Sequence, residues 1–361
     1  MQELLNLWNL SSMSVVAPTA RLIRIAWARN RRVWLVNPRS RVRLDLAAKS
    51  FQTVDCDLGV SGARDSTPWP ALETGDTTQP RLPAMPAYNE KTKIIEHYDF
   101  ASPYYHALWG EHLHHGYWRT GTETKEEAQL ALTTHLAEVA QVPHGAAILD
   151  VGCGFGGSSI YLATRHQAAV TGITISPVQA AMAQEASDKA NATARFLVVD
   201  ADNITLRDKF DVVWSIEAIS HFTNKPGFFI RAAEMLKPGG TLALIDWFKH
   251  EDLSAAQHRT YITPIERGML VELSTIADYA EMIRTAGLKI THTSDISGQC
   301  SRTWDISSDL IKNRALWQLA GNKGVEFIRF LRSFGAMRKG FASGTFVYGM
   351  LIAHCPEAPK R

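Results

Sequence analysis

The sequence predicts an α/β fold with a Rossmann-like, doubly wound, seven-stranded sheet and a helical lid. Three observations support this prediction. From residue 147 onward, short apolar segments alternate with helical patterns, which is typical of a parallel sheet covered on both faces. A glycine-rich turn follows the first of these segments directly. The charge is nearly balanced, with 38 Lys+Arg and 36 Asp+Glu, so no basic field points to nucleic acid as a partner.

The predicted strands are short apolar runs bounded by glycine, proline or polar residues. They cover residues 147–151, 169–173, 196–199, 211–215, 241–246, 288–293 and 345–353. A helix is expected after the first strand, and another over 177–191 with a proline in its first turn. A third helix is expected over 228–236, and Lys237-Pro238-Gly239-Gly240 is expected to end it before the next strand begins.

Residues 1–87 are expected to be a basic, proline-containing extension and linker that is disordered, so that the folded domain spans 88–361. Eight arginines fall between Arg21 and Arg43, and five prolines fall between Thr67 and Pro86. Such a composition does not support a packed core. A mitochondrial transit peptide, a membrane-surface helix and an over-long gene model stay open as other interpretations.

The cysteine usage indicates a reducing compartment, and we expect a cytoplasmic location, or a mitochondrial one if the N-terminus is a transit peptide. The four cysteines are scattered along the chain, at Cys56, Cys153, Cys300 and Cys355. No apolar run approaches the ~20 residues that cross a bilayer, so no membrane span is expected. The histidines within 112–115 lack carboxylate or cysteine partners, so no metal site is expected.

The glycine turn is the strongest local indication of a ligand. Gly152, Gly154 and Gly157 satisfy the pattern G-x-G-x-x-G after a buried strand. A nicotinamide dinucleotide also requires an acid about 20 residues further on, and no acid lies between Asp150 and Glu185. The acid that precedes the glycines, Asp150, instead suits a ligand with a free amino group. S-adenosylmethionine is such a ligand.

Four motifs in a fixed order extend this interpretation to a family. The glycine turn is followed by Gly-Ile-Thr-Ile-Ser-Pro at 172–177, by Lys-Phe-Asp-Val-Val-Trp-Ser-Ile-Glu-Ala at 209–218 and by Leu-Lys-Pro-Gly-Gly-Thr-Leu at 236–242. Over about residues 94–355 the chain resembles the S-adenosylmethionine-dependent methyltransferases of the gamma-tocopherol type. These are similar to alkaloid N-methyltransferases, sterol methyltransferases and cyclopropane fatty acid synthases.

The resemblance implies S-adenosylmethionine as the cofactor and assigns its binding residues. The glycine turn would cradle the methionine part. Thr174, Ile175 and Gln179 would follow the ribose and adenosine, and residues 200–201 would meet the adenine. The implied set is Tyr98, His115, Gly116, Tyr117, Asp150, Gly152, Cys153, Gly154, Gly156, Thr174, Ile175, Gln179, Asp200, Ala201, Ile216 and Glu217. Other interpretations stay open for Gln179 as a solvated helix residue, Asp200 as a turn cap and Tyr98 as a core aromatic.

The resemblance also implies that Glu217 and His221 are catalytic. Their spacing of four would place both side chains on one helical face, and a near-neutral imidazole can remove a proton from the acceptor. Ser220 stands where the related families commonly have an acid. A structural role for His221 at a helix end is the alternative.

The expected acceptor is a small, mostly apolar molecule such as a prenylated phenol, terpenoid or alkaloid, methylated on oxygen before nitrogen or carbon. Aromatic residues in the expected lid segments 248–274 and 299–339 suggest this, although plain packing would also explain them. They are Trp304, Trp317, Phe327, Phe330 and Phe334. A lipid or sterol C-methyltransferase, a cyclopropane synthase-like enzyme and a cyclase that binds the cofactor without methyl transfer are the alternatives.

Overall fold

The computed structural model describes residues 24–28, 32–37, 40–45, 50–54, 87–312, 316–317 and 325–357. The chain divides into two compact units, Met1–Arg81 and Leu82–Arg361.

The described part of the first unit is a four-stranded antiparallel sheet in the order β1-β2-β3-β4. The strands are β1 (Arg24–Ala28), β2 (Arg32–Asn37), β3 (Ser40–Asp45) and β4 (Ser50–Val54). These strands cover only a small part of residues 1–87, and the disorder expected for that extension stays a prediction. Charged and apolar residues alternate along β3, and a period of two favours strand over helix. The linker expected between residues 67 and 86 lies outside the described residues.

The second unit is built on a seven-stranded sheet, as the sequence predicts, and its strands follow the order β10-β11-β9-β8-β5-β6-β7. Its strands are β5 (Ala147–Val151), β6 (Ala169–Thr174), β7 (Ala194–Val198), β8 (Phe210–Ile216), β9 (Leu236–Lys249), β10 (Lys289–Asp295) and β11 (Phe346–His354). The pairs among β5, β6, β7, β8 and β9 are parallel, but β11 is antiparallel to both of its neighbours. The sheet is therefore mixed rather than wholly parallel, because β11 enters between β9 and β10 from the opposite end.

The helices surround this sheet and form the lid. They are α1 (Ala87–Trp109), α2 (Lys125–Val139), α3 (Gly157–Arg165), α4 (Pro177–Ala190), α5 (Lys225–Met235), α6 (Ala255–Gln257), α7 (Thr263–Met269), α8 (Ile276–Thr285), α9 (Ser297–Cys300), α10 (Arg302–Leu310) and α11 (Val325–Ala342), with a π-helical turn at His258–Ile262. A capping box at Thr124 and Glu127 begins α2, and the Ser176 side chain caps α4 just before its proline. In the described part of the chain, no helix is long and apolar enough to cross a membrane.

The predicted turn at residues 237–240 lies inside a strand. Leu236 pairs with Phe210, and Thr241 is the next β9 residue to pair with β8, opposite Val212. The residues between them bulge from the ladder, with Gly239 at a φ of +76°. Strand β9 therefore begins five residues before the predicted 241–246, and it extends to Lys249.

Two apolar layers cover the two faces of the sheet, because successive strand residues point to opposite sides. Ile148 and Val212 belong to one layer, and Leu149 and Val213 to the other. A third, smaller cluster joins α1 to α11 through Ala101, Phe327, Phe330 and Leu331. This third cluster lies in the lid and contains no sheet residue.

Candidate functional site

A cavity of about 260 Å³ lies at the carboxyl ends of strands β5 to β8. The glycine turn after β5 forms one wall, and helices α1 and α11 contribute the opposite wall. Ligands of open α/β sheets bind at this edge, where the strand order reverses on either side of β5.

The glycine turn leaves room for a ligand because its residues adopt conformations that side chains disfavour. Gly152, Gly154 and Gly156 have φ values of +76°, +53° and +83°. A Cβ on Gly152 would lie 2.2 Å from Cβ of Ala218, so packing alone requires glycine there. At Gly154 the nearest atom to such a Cβ is Cδ1 of Leu113, at 3.3 Å. Gly154 thus presents its backbone to the cavity.

Asp150 supplies a carboxylate at the end of β5, in the cavity wall. Its side chain is 2% exposed and accepts a hydrogen bond of 2.5 Å from Oγ of Ser159. Burial raises the pKa of Asp150 to about 7, against a weaker opposing effect of the Ser159 hydrogen bond. A cationic amino group bound beside it would favour the ionised form. This site fits the amino group of S-adenosylmethionine.

The residues after β6 and β7 form the adjacent wall. Thr174, Ile175 and Gln179 line the cavity, and Oγ1 of Thr174 donates to Oε1 of Gln179 at 2.8 Å. Gln179 is buried, which excludes the alternative of a solvated helix residue. Asp200 lines the cavity and also accepts from the backbone N–H of Asp202, so its turn-capping role is real as well.

Lys91 of α1 is a cavity residue that the sequence reasoning missed. Its Nζ lies 2.7 Å from a carboxylate oxygen of Asp200 and 2.7 Å from one of Asp202. The sequence does indicate that Lys91 shares a helix face with Tyr98, because Lys91, Ile94 and Tyr98 have the spacing of one helical face. This face of α1 is directed towards the cavity, and Lys91 ties it to the end of β7.

Three residues of the predicted cofactor set do not line the cavity. Gly116 packs so closely against Trp118 that an added Cβ would lie 2.7 Å from its ring. Tyr117 stacks on His135 with ring centroids 4.4 Å apart. Gly156 begins α3 and packs against Phe196. These three residues contribute to the backbone conformation and packing beside the wall, within two positions of residues that line it.

The other predicted residues do line the cavity: Tyr98, His115, Asp150, Gly152, Cys153, Gly154, Thr174, Ile175, Gln179, Asp200, Ala201, Ile216, Glu217 and His221. The structure thus brings together residues that are more than 120 positions apart in the chain. Among the residues that the structure describes, no group of three or more His, Cys, Asp or Glu side chains is placed to hold a metal ion.

Glu217 follows β8 in the left-handed conformation, with a φ of +53°. Its Oε1 accepts three hydrogen bonds, from the His115 backbone N–H at 2.7 Å, the His115 Nδ1 at 2.8 Å and the Tyr348 hydroxyl at 2.6 Å. Burial raises the pKa of Glu217, but His115 and these hydrogen bonds outweigh burial and hold the pKa below its ordinary value. Tyr348 of β11 is a second residue that the sequence reasoning missed.

His221 ends a short 3₁₀ turn, Ile219–His221, after Glu217. Its Nδ1 lies 3.1 Å from the carbonyl oxygen of Leu270, so that nitrogen donates. Nε2 then accepts from the hydroxyl of Tyr98, at 3.2 Å. Burial lowers the pKa of His221 to about 4, which keeps the ring neutral near pH 7.

The predicted placement of Glu217 and His221 on one helical face is wrong. The left-handed backbone at Glu217 turns its carboxylate towards His115, and the following turn is 3₁₀ rather than α-helical. Both side chains still line the same cavity. They belong to two separate polar pairs, His115–Glu217 and Tyr98–His221.

The aromatic residues of the lid form the apolar part of the cavity. Trp304, Phe327, Phe330 and Phe334 line it as the sequence suggests. Trp317 does not line it; its side chain is 38% exposed and its indole N–H donates to the Ile311 carbonyl oxygen. The cavity therefore has a polar end at the glycine turn and an aromatic end under the lid.

The chain is similar to known methyltransferases over most of its length. A family model described as mycolic acid cyclopropane synthetase matches residues 87–341. The chain is 32% identical over 271 residues to 27-O-demethylrifamycin SV methyltransferase of Amycolatopsis mediterranei, covering 73% of this chain and 97% of that protein. It is 28% identical over 290 residues to the chloroplastic tocopherol O-methyltransferase of Arabidopsis thaliana, covering 73% and 82% respectively.

A solved structure supports the same fold. The mycolic acid cyclopropane synthase CmaA1, complexed with SAH and CTAB, matches with a TM-score of 0.66 and 19% identity. The match covers 73% of this chain and 98% of CmaA1.

Proposed function

The chain belongs to the mycolic acid cyclopropane synthetase family and is an S-adenosylmethionine-dependent methyltransferase, and we propose that it methylates a hydroxyl oxygen of a small, mostly apolar acceptor. The family resemblance predicted from the sequence is thereby confirmed. The observation that carries the proposal is the neutral His221, whose Nε2 accepts a hydrogen bond in a cavity with an aromatic wall.

When bound, S-adenosylmethionine supplies an activated methyl group on a sulfonium sulfur. The backbone at Gly152 and Gly154 would hold its methionine part, and the Asp150 carboxylate would pair with its amino group. Asp200 would accept from the exocyclic amino group of the adenine. These residues position the cofactor, and such positioning can contribute about 7–11 kcal/mol to rate enhancement.

The proton of the acceptor hydroxyl leaves through His221. The Leu270 carbonyl fixes the tautomer, so the lone pair lies on Nε2, at the side of Tyr98. A hydroxyl of the acceptor that takes the place of the Tyr98 hydroxyl can give its proton to this nitrogen. The negative charge of Glu217 favours the imidazolium that then forms.

The apolar lid selects the acceptor. Phe327, Phe330, Phe334 and Trp304 cover the side of the cavity opposite the glycine turn. Burial of the acceptor's apolar surface against these rings contributes roughly 25 cal/mol per Å². One relative is named for an O-demethyl substrate and the other is named an O-methyltransferase, which supports oxygen as the atom methylated.

The alternative is methyl transfer to carbon in a lipid, including cyclopropane formation, which the family description favours.

The proposed cytoplasmic location rests on cysteine usage alone and stays a prediction. Neither transfer to carbon nor a different cellular location would change the residues that we assign to the cofactor.

Three probes distinguish the acceptor atoms when the full-length protein is incubated with methyl-labelled S-adenosylmethionine. They are 4-butylphenol, 4-butylaniline of nearly the same shape, and vesicles of an unsaturated phosphatidylglycerol. We expect label in the methyl ether of the phenol. We also expect His221→Gln to slow that reaction by about 10²–10⁴, with affinity for S-adenosylhomocysteine unchanged. Label confined to the aniline or to the lipid chains would overturn the oxygen assignment.

A further inference from the structure

A second polar pair lies in the aromatic part of the cavity, and the reaction derived above does not use it. Nε2 of His97 is 3.0 Å from the hydroxyl of Tyr105, and both residues line the cavity. The His97 ring centroid is 4.6 Å from that of Phe330 and 6.2 Å from that of Phe327. The pair therefore lies among the phenylalanines of the lid.

Packing alone gives no reason for polar groups at these positions. Phenylalanine side chains would fill the same space, and polar groups in apolar surroundings cost free energy unless they are hydrogen-bonded. The pair satisfies one hydrogen bond of each partner and leaves the rest of their capacity open. Such residual capacity in a ligand cavity is typical of a specificity group.

The donor and the acceptor that remain on His97 and Tyr105 match an uncharged oxygen atom of a ligand. Burial, aided by the nearby His221, lowers the pKa of His97 to about 4, so the ring is neutral and carries one N–H and one accepting nitrogen. Whichever nitrogen carries the proton, the pair keeps one donor and one acceptor after bonding to itself. A hydroxyl or a carbonyl oxygen can use these groups.

An anionic group of a ligand does not match the surroundings of the His97–Tyr105 pair. Among the described residues that line the cavity, Lys91 is the sole lysine or arginine, and its ammonium is already held by Asp200 and Asp202. A carboxylate or phosphate at the His97–Tyr105 pair would be buried without a cation. Such burial is strongly unfavourable.

The pair lies within reach of an acceptor bound at His221. The ring centroid of Tyr98 is 5.3 Å from that of His97 and 5.8 Å from that of His221. Tyr98 thus stands between the base and the second pair, on the same wall of the cavity. One small molecule can place one oxygen at His221 and another at His97.

We propose that His97 and Tyr105 bind a second, uncharged oxygen of the acceptor, so that the enzyme selects apolar molecules that carry two oxygen groups. This inference rests on the proposed function, because it takes the first oxygen to be the one at His221.

Two matched probes test the inference by binding rather than by turnover. The probes 4-(3-hydroxypropyl)phenol and 4-butylphenol differ by a hydroxyl in place of a methyl group. Their dissociation constants are measured by titration calorimetry on the full-length protein saturated with S-adenosylhomocysteine. We expect the hydroxylated probe to bind about tenfold more tightly, the effect of one added hydrogen bond. A purely apolar wall would give the opposite order.

Substitutions of His97 and Tyr105 then test whether these residues cause the preference for the hydroxylated probe. In His97→Phe the preference should be lost or reversed, while affinity for 4-butylphenol stays within about threefold. Tyr105→Phe removes a single oxygen atom, should reduce the preference, and serves if His97→Phe does not fold. Tyr117→Phe removes a hydroxyl outside the cavity and should keep the wild-type ratio.

A wild-type protein that prefers 4-butylphenol, or that binds neither probe up to its solubility limit, would overturn the inference. An unchanged ratio in both His97→Phe and Tyr105→Phe would do the same. Turnover of the same probes with S-adenosylmethionine is measured separately. A probe that binds with the expected ratio but is not methylated would count against the proposed function and not against the second oxygen site.

Discussion

The buried carboxylate of Glu217 forms a hydrogen bond of 2.8 Å with Nδ1 of His115, and not with His221 four residues further along the chain. His221 is bonded instead to Tyr98 of helix α1. The two pairs have different tasks. The His115–Glu217 pair joins the residues after α1 to strand β11 through Tyr348, whereas the Tyr98–His221 pair lines the part of the cavity where we propose that the acceptor binds.

Replacing Glu217 by Gln should destabilise the fold. The neutral amide oxygen accepts the three hydrogen bonds of Oε1 more weakly than the carboxylate does, and the amide NH2 adds a buried donor, which costs about 1–3 kcal/mol if it has no partner. Thermal unfolding measures the change. The control is Glu138→Gln, which removes an exposed ion pair with Arg119 and should change the melting temperature little. Equal effects of the two substitutions would contradict the role given to Glu217.

The same carboxylate sets a pH dependence of stability. Because the folded-state pKa of Glu217 lies below its ordinary value of 4.5, its contribution is complete above that value. The contribution is lost as the pH falls through the folded-state pKa. Denaturant unfolding at pH 7 and pH 4 should therefore show a smaller difference in Glu217→Gln than in the wild type. An identical pH dependence in both proteins would rule out this linkage.

The rate should stay constant to an unusually acidic pH. His221 has a pKa lowered to about 4, so its basic form persists well below the ordinary value of 6.5. We expect the acid limb of kcat/KM for the acceptor near pH 4, measured at saturating cofactor so that Asp150 does not contribute. This limb should be absent from the residual activity of His221→Gln. A limb near pH 6.5 would show that the imidazole is more exposed than the contacts with Tyr98 and Leu270 indicate.

Substitutions in the glycine turn should separate folding from cofactor binding. Gly152→Ala places a Cβ 2.2 Å from Ala218 and should impair folding. Gly154→Val adds bulk towards the cavity and should abolish binding of S-adenosylhomocysteine while the protein stays folded. Gly121→Ala is the control, since its φ is also positive but no atom lies near the added Cβ. Circular dichroism and calorimetry distinguish these outcomes, and normal binding by Gly154→Val would exclude the turn as the cofactor site.

The ion pairs of Lys91 should contribute to cofactor retention. Lys91→Met leaves Asp200 and Asp202 close together without a cation and frees the start of α1 from the end of β7. We expect about threefold weaker binding of S-adenosylhomocysteine and a loss of its salt dependence. Lys93→Met, at an exposed position two residues away, is the matched control. If both variants retain the wild-type salt dependence, the ion pairs do not hold the lid.

The first unit should be dispensable for cofactor binding. The cavity is lined by residues from Lys91 onward, and the boundary between the compact units falls after Arg81. Deleting residues 1–85 should leave affinity for S-adenosylhomocysteine within about threefold, measured by calorimetry. Collapse of folding or binding on truncation would show that this segment supports the second unit.

The sequence predicts the sheet and the cavity wall at the glycine turn well, because both depend on local signals. Apolar runs mark the strands, and glycines mark the turn where a chain must bend after β5. It fails where a contact depends on backbone direction or on distant segments. The left-handed conformation at Glu217 has no signature in the residue type, and the partner of its carboxylate, Tyr348, lies 131 positions away. Lys91 was missed although its helical spacing was visible, because its partners follow a different strand.

Because β11 comes late in the chain, the sheet and the hydrogen bonds of Glu217 are complete only after nearly the whole domain has been synthesised. The strand comes late in the chain, yet it lies inside the sheet, second from the edge, between β9 and β10, and it carries the tyrosine that binds Glu217. Earlier segments can fold as they leave the ribosome, but β10 and the edge of β9 that does not pair with β8 have no partner strand until β11 is synthesised. A chain stopped before residue 346 therefore lacks both a closed sheet and a complete site, and its open edges invite pairing with other chains.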